Sequence, residues 1–398
     1  VYAQSEVMEP VVVTATRTPQ PISQVMASVT VITADQISAT NATRLDEVLR
    51  GTVGLEIVSN GADGALATAS IRGSESAQVL ILLDGVRLNS AQNGLYNLSN
   101  LPVALGDIER IEILRGPSSA LYGSNALGGV IQIFTHRPES EPLTRLSWQE
   151  GRFESRNLSI STAQKLNRVR YRVGANLDRS DGDRENSDLD QHSFNGLIGV
   201  DLGAGYDLEI LANYLDKEIG VPGSTSTPSS QARQWDRNNQ AALALSGPAG
   251  PFAWQVRGSY DRQRSEFKEP GGWFPSHDIH ILRTLGTELQ ATTENGPHSL
   301  LFGGDFYRDE IESTANGNED QDRWSSFGQY EIKATPWATL LIGLRYDAHS
   351  DFDNETSPRA AISLSLTETT RVRVSAAKAF RAPTLNDRFW PDTGWTRG

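Results

Sequence analysis

From about residue 143 onward, apolar and polar residues alternate with a period of two. Val169, Tyr171, Val173, Ala175 and Leu177 interleave with Arg170, Arg172, Gly174 and Asn176. The pattern recurs at Leu208-Ile210-Ala212-Tyr214, Phe252-Trp254-Val256-Gly258-Tyr260, Leu340-Ile342-Leu344-Tyr346 and Val372-Val374-Ala376. Period two with one apolar face marks half-buried strands. In a soluble sandwich the apolar face would be the inside. Here the polar face carries several arginines and the apolar face often ends in an aromatic, which predicts a barrel with lipid outside and water or a polar plug inside. Polar stretches at 178–195, 216–240, 263–280 and 308–324 read as long loops, and Gly203-Ala204-Gly205 and Gly247–Gly250 read as short turns. Long loops at one end and short turns at the other suit an outer-membrane barrel with the long loops extracellular. Several loops of that length would be unusual in a soluble sandwich.

Residues 23–136 have a different texture, lightly charged, Gly-rich and mixed in pattern. Val29–Thr33 alternates weakly like a strand, and Thr33-Ala34-Asp35-Gln36 has capping-box spacing for a helix start. Asn41 or Thr43 can cap a second helical turn that places Leu45, Val48 and Leu49 on one face. Val79–Leu83 predicts a buried strand, and Asp84-Gly85 turns it tightly into Val86-Arg87-Leu88. Ile108–Leu114 and Val130–Phe134 predict two more strands. The expectation is a small α+β domain ahead of a barrel.

The length, 398 residues, exceeds what one compact core holds. No apolar run approaches the roughly 20 residues of a membrane-spanning helix, whereas a transmembrane β-barrel needs none. Lys+Arg total 36 against 49 Asp+Glu, and the net charge of −13 disfavours nucleic acid as a partner. The chain has no Cys, which removes disulfides and thiolate sites and suits passage through an oxidising periplasm. No Ser/His/acid or zinc-type constellation appears, and His277 and His280, spaced by three, read as loop residues near Pro275. An enzyme is not expected.

Four stretches carry a family resemblance. They are Glu9-Pro10-Val11-Val12-Val13-Thr14-Ala15, Ile71-Arg72-Gly73, Leu82–Leu88, and the long run from Ile111 through Arg115-Gly116-Pro117, Tyr122-Gly123 and Gly128-Gly129 to Ile131. On these the chain resembles the TonB-dependent outer-membrane receptors, and within them the vitamin B12 (cobalamin) receptors. The resemblance implies a transmembrane antiparallel β-barrel with an N-terminal α+β plug domain in its lumen, in the bacterial outer membrane. Residues 1–22 would be a signal remnant (Val1-Tyr2-Ala3) and a tail with the TonB box. Residues 23–136 would be the plug and 137–398 a partial barrel. At roughly 20 residues per strand and connection, the last region holds about 12–14 strands. Plugged transporters of this kind have about 22. The C-terminal part of the barrel is therefore expected to lie outside this sequence.

The resemblance assigns roles residue by residue. Glu9 to Ala15 would pair by strand addition with a TonB-type energy-coupling partner, since Val11–Val13 is an apolar, β-branched segment in a polar tail. The loops Asn60–Ala65 and Asn89–Tyr96 correspond to those that touch the corrin, so Asn60, Asp63, Asn89, Ser90, Gln92 and Asn93 are candidate ligand contacts. Arg72 and Arg115 would meet barrel glutamates at the plug–barrel interface, because a buried guanidinium needs a carboxylate. No cofactor is required. Calcium could bind the acidic early loops, with Asp178, Asp188, Asp190 and Asp216 as ligands of the hard oxygen type it takes. The rival ligands are haem and ferric siderophores. Phe380-Arg381-Ala382-Pro383 resembles a box of haem receptors in which a following His ligates iron, yet no His occurs after His349. A rival of another class is a secreted β-rich glycan-binding protein or hydrolase.

Overall fold

The computed structural model describes residues 9–138, 141–271, 275–367 and 369–390. The signal remnant expected at Val1–Ala3 lies outside the described residues.

The N-terminal segment opens with a two-residue pair, β1 (Val11–Val12) against β2 (Gln20–Pro21). The plug follows as β3 (Ser28–Thr33), α1 (Ala34–Ala39), α2 (Leu45–Leu49), β4 (Leu55–Ser59), β5 (Ala67–Ile71), β6 (Val79–Leu83), β7 (Val86–Arg87), β8 (Ile108–Arg115), α3 (Ser119–Tyr122) and β9 (Gly129–Thr135). Its central sheet has the order β3-β8-β9-β6-β7, with β6 and β9 parallel. The aliphatic run Val79–Leu83 is buried on both faces, as an inner strand of a covered sheet requires. Asp84 and Gly85 both take left-handed φ, 48° and 83°, which is the turn that matches the twist of the β6–β7 hairpin. Thr33 caps α1 through a capping box with Gln36, as its spacing predicts. The second helix differs from expectation. Its N-cap is Arg44, with no side-chain cap, and the Thr43 N–H instead donates to Glu47.

Thirteen antiparallel strands, each hydrogen-bonded to the next in sequence, form the wall. They are β10 (Leu143–Glu150), β11 (Arg156–Leu166), β12 (Val169–Ser180), β13 (Leu189–Gly203), β14 (Tyr206–Gly220), β15 (Arg233–Ala249) and β16 (Phe252–Glu269). The remaining six are β17 (Ser276–Asn295), β18 (His298–Ser313), β19 (Gly317–Thr335), β20 (Ala338–His349), β21 (Glu355–Ser365) and β22 (Arg371–Ala377). A short α4 (Leu385–Phe389) follows.

The wall is apolar outward and polar inward. On β20, Leu340, Ile342, Leu344 and Tyr346 are 41, 60, 52 and 45 % exposed, while the intervening Arg345 is 2 % exposed. Buried Arg172, Asn176, Asn195, Lys217 and Asp309 repeat the inversion on other strands. A soluble sandwich would place these faces the other way round, and the glycan-binding alternative falls with it.

The long polar loops expected from sequence are mostly strand. The connections shrink to 181–188, 221–232 and 314–316, and β16 and β17 extend over most of 263–280. Cross-strand ion pairs such as Arg283–Glu312 (2.6 Å) and Arg308–Asp320 (3.1 Å) carry the ladder beyond the apolar band. His277 and His280 accordingly sit on β17, bonded to Glu266 and Ser313, rather than in a loop.

Candidate functional site: two faces of a seated plug

The plug is held in the wall largely by cations that reach its backbone. Lys217 Nζ donates to the Gly64 carbonyl (2.9 Å), Arg257 to Gly85 (2.8 Å), Arg345 to Leu121 (3.4 Å) and Arg359 to Ala15 (3.2 Å). Arg17 and Arg172 add ion pairs across the interface with Glu288 and Asp107, both at 3.8 Å. Lys217 and Arg345 are fully buried, and each is paired inside the wall, with Asp236 (3.0 Å) and with Asp305 and Asp347 (both 2.9 Å). Pairing of this kind offsets the cost of removing the charge from water.

Arg72 and Arg115 stand elsewhere. Arg72 takes left-handed φ (53°) and is exposed, and the Arg115 Nε donates to the Val53 carbonyl at 2.9 Å. Among the described residues neither forms an ion pair. Burial, with Arg72 as neighbour, pushes the Arg115 guanidinium below its ordinary range. Sequence reasoning missed the wall's own cations because a lone Arg or Lys on a polar strand face carries no partner signal.

At one end of the plug, Glu9–Ala15 folds back onto it. The fully buried Glu112 on β8 accepts from the Val13 N–H (2.9 Å), the Thr14 N–H (2.8 Å) and the Thr14 hydroxyl (2.7 Å). The Tyr122 hydroxyl donates to the Thr14 carbonyl at 2.9 Å. Val12 and Ala15 are buried in a cluster with Leu80, Leu82, Leu121 and Val130, whereas Val11 is 47 % exposed.

At the opposite end the two candidate ligand loops differ. Asn60 is exposed and its side chain makes no hydrogen bond among the described residues. Asp63 pairs with Arg44. Asn89 is committed internally: its carbonyl oxygen accepts from Ile81 (2.7 Å), and its amide donates to Val79 and Gly94 (both 2.9 Å). Holding the β6 edge to its own loop is a structural task that leaves no donor for a ligand. The Ser90 hydroxyl and the Asn93 carbonyl oxygen accept turn N–H groups from Gln92 and Leu95, while the half-buried Gln92 side chain makes no hydrogen bond among the described residues.

A strap missed at the sequence level, Lys378–Trp390, crosses this surface. Its Leu385 and Asn386 N–H groups donate to the Ala91 and Gln92 carbonyls (3.2 and 2.8 Å), and its Ala382 N–H donates to Ser124 (3.0 Å). Leu385 is fully buried between Leu282 and Ile311. The Arg-Ala-Pro box is part of this strap, and Arg381 pairs with Asp387 at 2.8 Å.

The four candidate calcium ligands do not converge. Asp178 points inward among the amides of Asn157, Asn176 and Gln191. Asp190 and Asp216 lie on the outer face, paired with Arg179 (2.5 Å) and Arg237 (2.6 Å). Asp188 is bound by Arg233, which holds its carboxyl below the usual range. Among the described residues no three His, Asp or Glu gather as a metal cluster. Side chains on alternating strand positions face opposite sides of a sheet, so closeness in sequence was misleading here.

Known proteins place this architecture. The profile described as "TonB-dependent Receptor Plug Domain" matches residues 21–130, and "TonB dependent receptor-like, beta-barrel" matches 132–398. Vitamin B12 transporter BtuB of Photobacterium profundum is 28 % identical over 96 % of this chain and 64 % of its own length. BtuB of Vibrio cholerae is 26 % identical over 98 % and 66 % respectively. The chain thus spans about two thirds of the length of these curated relatives. Among solved structures, the siderophore receptor PirA from Pseudomonas aeruginosa superposes with a TM-score of 0.75 at 22 % identity, covering 90 % of this chain and 62 % of PirA. With both profiles together spanning nearly the whole chain, and a plug seated in an inside-out wall, this chain belongs to the TonB-dependent receptors of the outer membrane.

Proposed function

We propose that the receptor binds cobalamin at its extracellular side and imports it to the periplasm with energy from a TonB-type partner. The observation that carries this reading is similarity to two curated vitamin B12 transporters along 96 and 98 % of the chain. The solved siderophore receptor shares the fold at 22 % identity, a level that speaks only for architecture. The amide side chains of exposed Asn60 and half-buried Gln92, neither hydrogen-bonded among the described residues, suit a ligand fringed with carboxamides. Glu9–Ala15, at the opposite end of the plug, is the segment for the coupling partner: Val11 is exposed at its start, and once the segment leaves Glu112, Tyr122 and Arg359 its backbone groups are freed for strand addition.

Equilibrium titration of the detergent-purified, full-length receptor with cyanocobalamin, haemin and ferric siderophores tests the ligand. Saturable binding of cyanocobalamin, with the others weaker, is the expected result. A siderophore or haemin that binds while cyanocobalamin does not would replace this reading.

A further inference from the structure

Calcium is the ion that the family resemblance brings to the early extracellular loops, and the donor chemistry here does not fit it. Calcium takes six to eight oxygen ligands with their lone pairs free. Between the connections 181–188 and 221–232 the Asp188 and Glu218 carboxylates and several backbone carbonyls are already turned toward nitrogen donors. The Arg233 guanidinium sits among them. Its Nη1 and Nη2 donate to the two carboxylate oxygens of Asp188 at 2.7 and 2.9 Å. Its Nε and Nη2 donate to Glu218 Oε1 at 3.1 and 2.6 Å, and Nη1 reaches Asn186 Oδ1 at 3.4 Å.

The carbonyls nearby are consumed in the same way. The amide of Asn186, a residue at left-handed φ of 58°, lies 3.3, 3.1 and 2.9 Å from the carbonyls of Val221, Ser229 and Ala232. Arg184 Nη1 donates to the Gly223 carbonyl at 3.0 Å. One loop therefore supplies nitrogen donors to the backbone of the other, and Arg233 closes the arrangement from the strand below. A bidentate guanidinium–carboxylate pair is among the stronger hydrogen-bonded contacts, and it fixes orientation as well as charge.

We infer that Arg233, with Asn186, is the positioning residue that clasps these two extracellular loops, and that their order needs no divalent cation. A cation added between Asp188 and Glu218 would meet the fixed positive charge of Arg233 in contact with both carboxylates. The inference is independent of which ligand the receptor carries.

Trypsin reads the clasp directly, because Arg184 can enter a protease only after leaving the 222–223 carbonyls. In the detergent-purified, full-length receptor, removing calcium with a chelator should leave the rate of cleavage after Arg184 unchanged. Arg233→Ala should raise that rate by about tenfold, because the local opening equilibrium shifts, while the unboiled barrel keeps its fast gel mobility. Should Arg233→Ala fail to fold, Asp188→Asn removes the bidentate contact and carries the same expectation. Faster cleavage of the unmodified receptor on chelation would overturn the proposal. So would folded variants that resist trypsin as well as the parent does.

Discussion

At the residue scale, the sharpest feature is one buried carboxylate that serves two successive backbone amides. Glu112 accepts three hydrogen bonds from Val13 and Thr14, and the Arg110 guanidinium bonds its other oxygen at 2.9 Å. Hydrogen bonds to a charged group are worth about 1.5–3 kcal/mol each. Glu112→Gln keeps the shape but replaces one acceptor oxygen with a donor, so it should loosen residues 9–15 without unfolding the plug. These 398 residues hold no cysteine, so Pro10→Cys introduces the one thiol among them. Its labelling by a maleimide should be faster in the Glu112→Gln background. Equal rates in the two backgrounds would show that Glu112 does not hold the segment. Asn89 shows the opposite limit of residue reasoning. An amide in a polar loop reads as ligand-facing, yet all its hydrogen-bonding capacity visible here goes to Val79, Ile81 and Gly94.

At the element scale, alternation predicts what faces lipid. Ile342, 60 % exposed on the outer face of β20, should therefore tolerate apolar exchange but not charge. Ile342→Arg is expected to destabilise the barrel by about 2–4 kcal/mol if it lies near the bilayer midplane. Urea-dependent folding into lipid vesicles measures this, and a loss under half a kcal/mol would place the residue outside the apolar band. The period-two runs of β12, β14, β16, β20 and β22 were all legible in sequence, as were β6, its Asp84-Gly85 turn and the capping box of α1. Strand length was not. Above the lipid both faces of a strand meet polar surroundings, so alternation fades while ion pairs such as Arg308–Asp320 keep the ladder intact. The β4–β5 hairpin, with weak alternation in Ala67-Thr68-Ala69-Ser70-Ile71, was likewise invisible. The strap at 378–390 could not be read either, because it is held by backbone N–H groups that find Ser124, Ala91 and Gln92 only in three dimensions.

At the scale of the whole molecule, the proposed function has the plug link an outward surface of amides to an inward segment that a coupling partner grips. Proline at position 12 removes one N–H from that segment and so breaks any added-strand ladder. Val12→Pro in the full-length receptor is expected to abolish cobalamin uptake by cells while binding to outer membranes stays unchanged. Normal uptake would disprove the coupling role. Lost binding would instead assign the buried Val12 to the plug's own packing. The attachments of this segment also have a mechanical consequence. They fall on successive residues: the Val13 and Thr14 amides at Glu112, the Thr14 carbonyl at Tyr122, the Ala15 carbonyl at Arg359. A pull applied at residue 9 loads them one after another, in the manner of a zipper and not of a lap joint sheared all at once. Tension of that kind peels the segment away at low force, and the last of these hydrogen bonds to part, that of Arg359 on β21, is the one made by the wall and not by the plug.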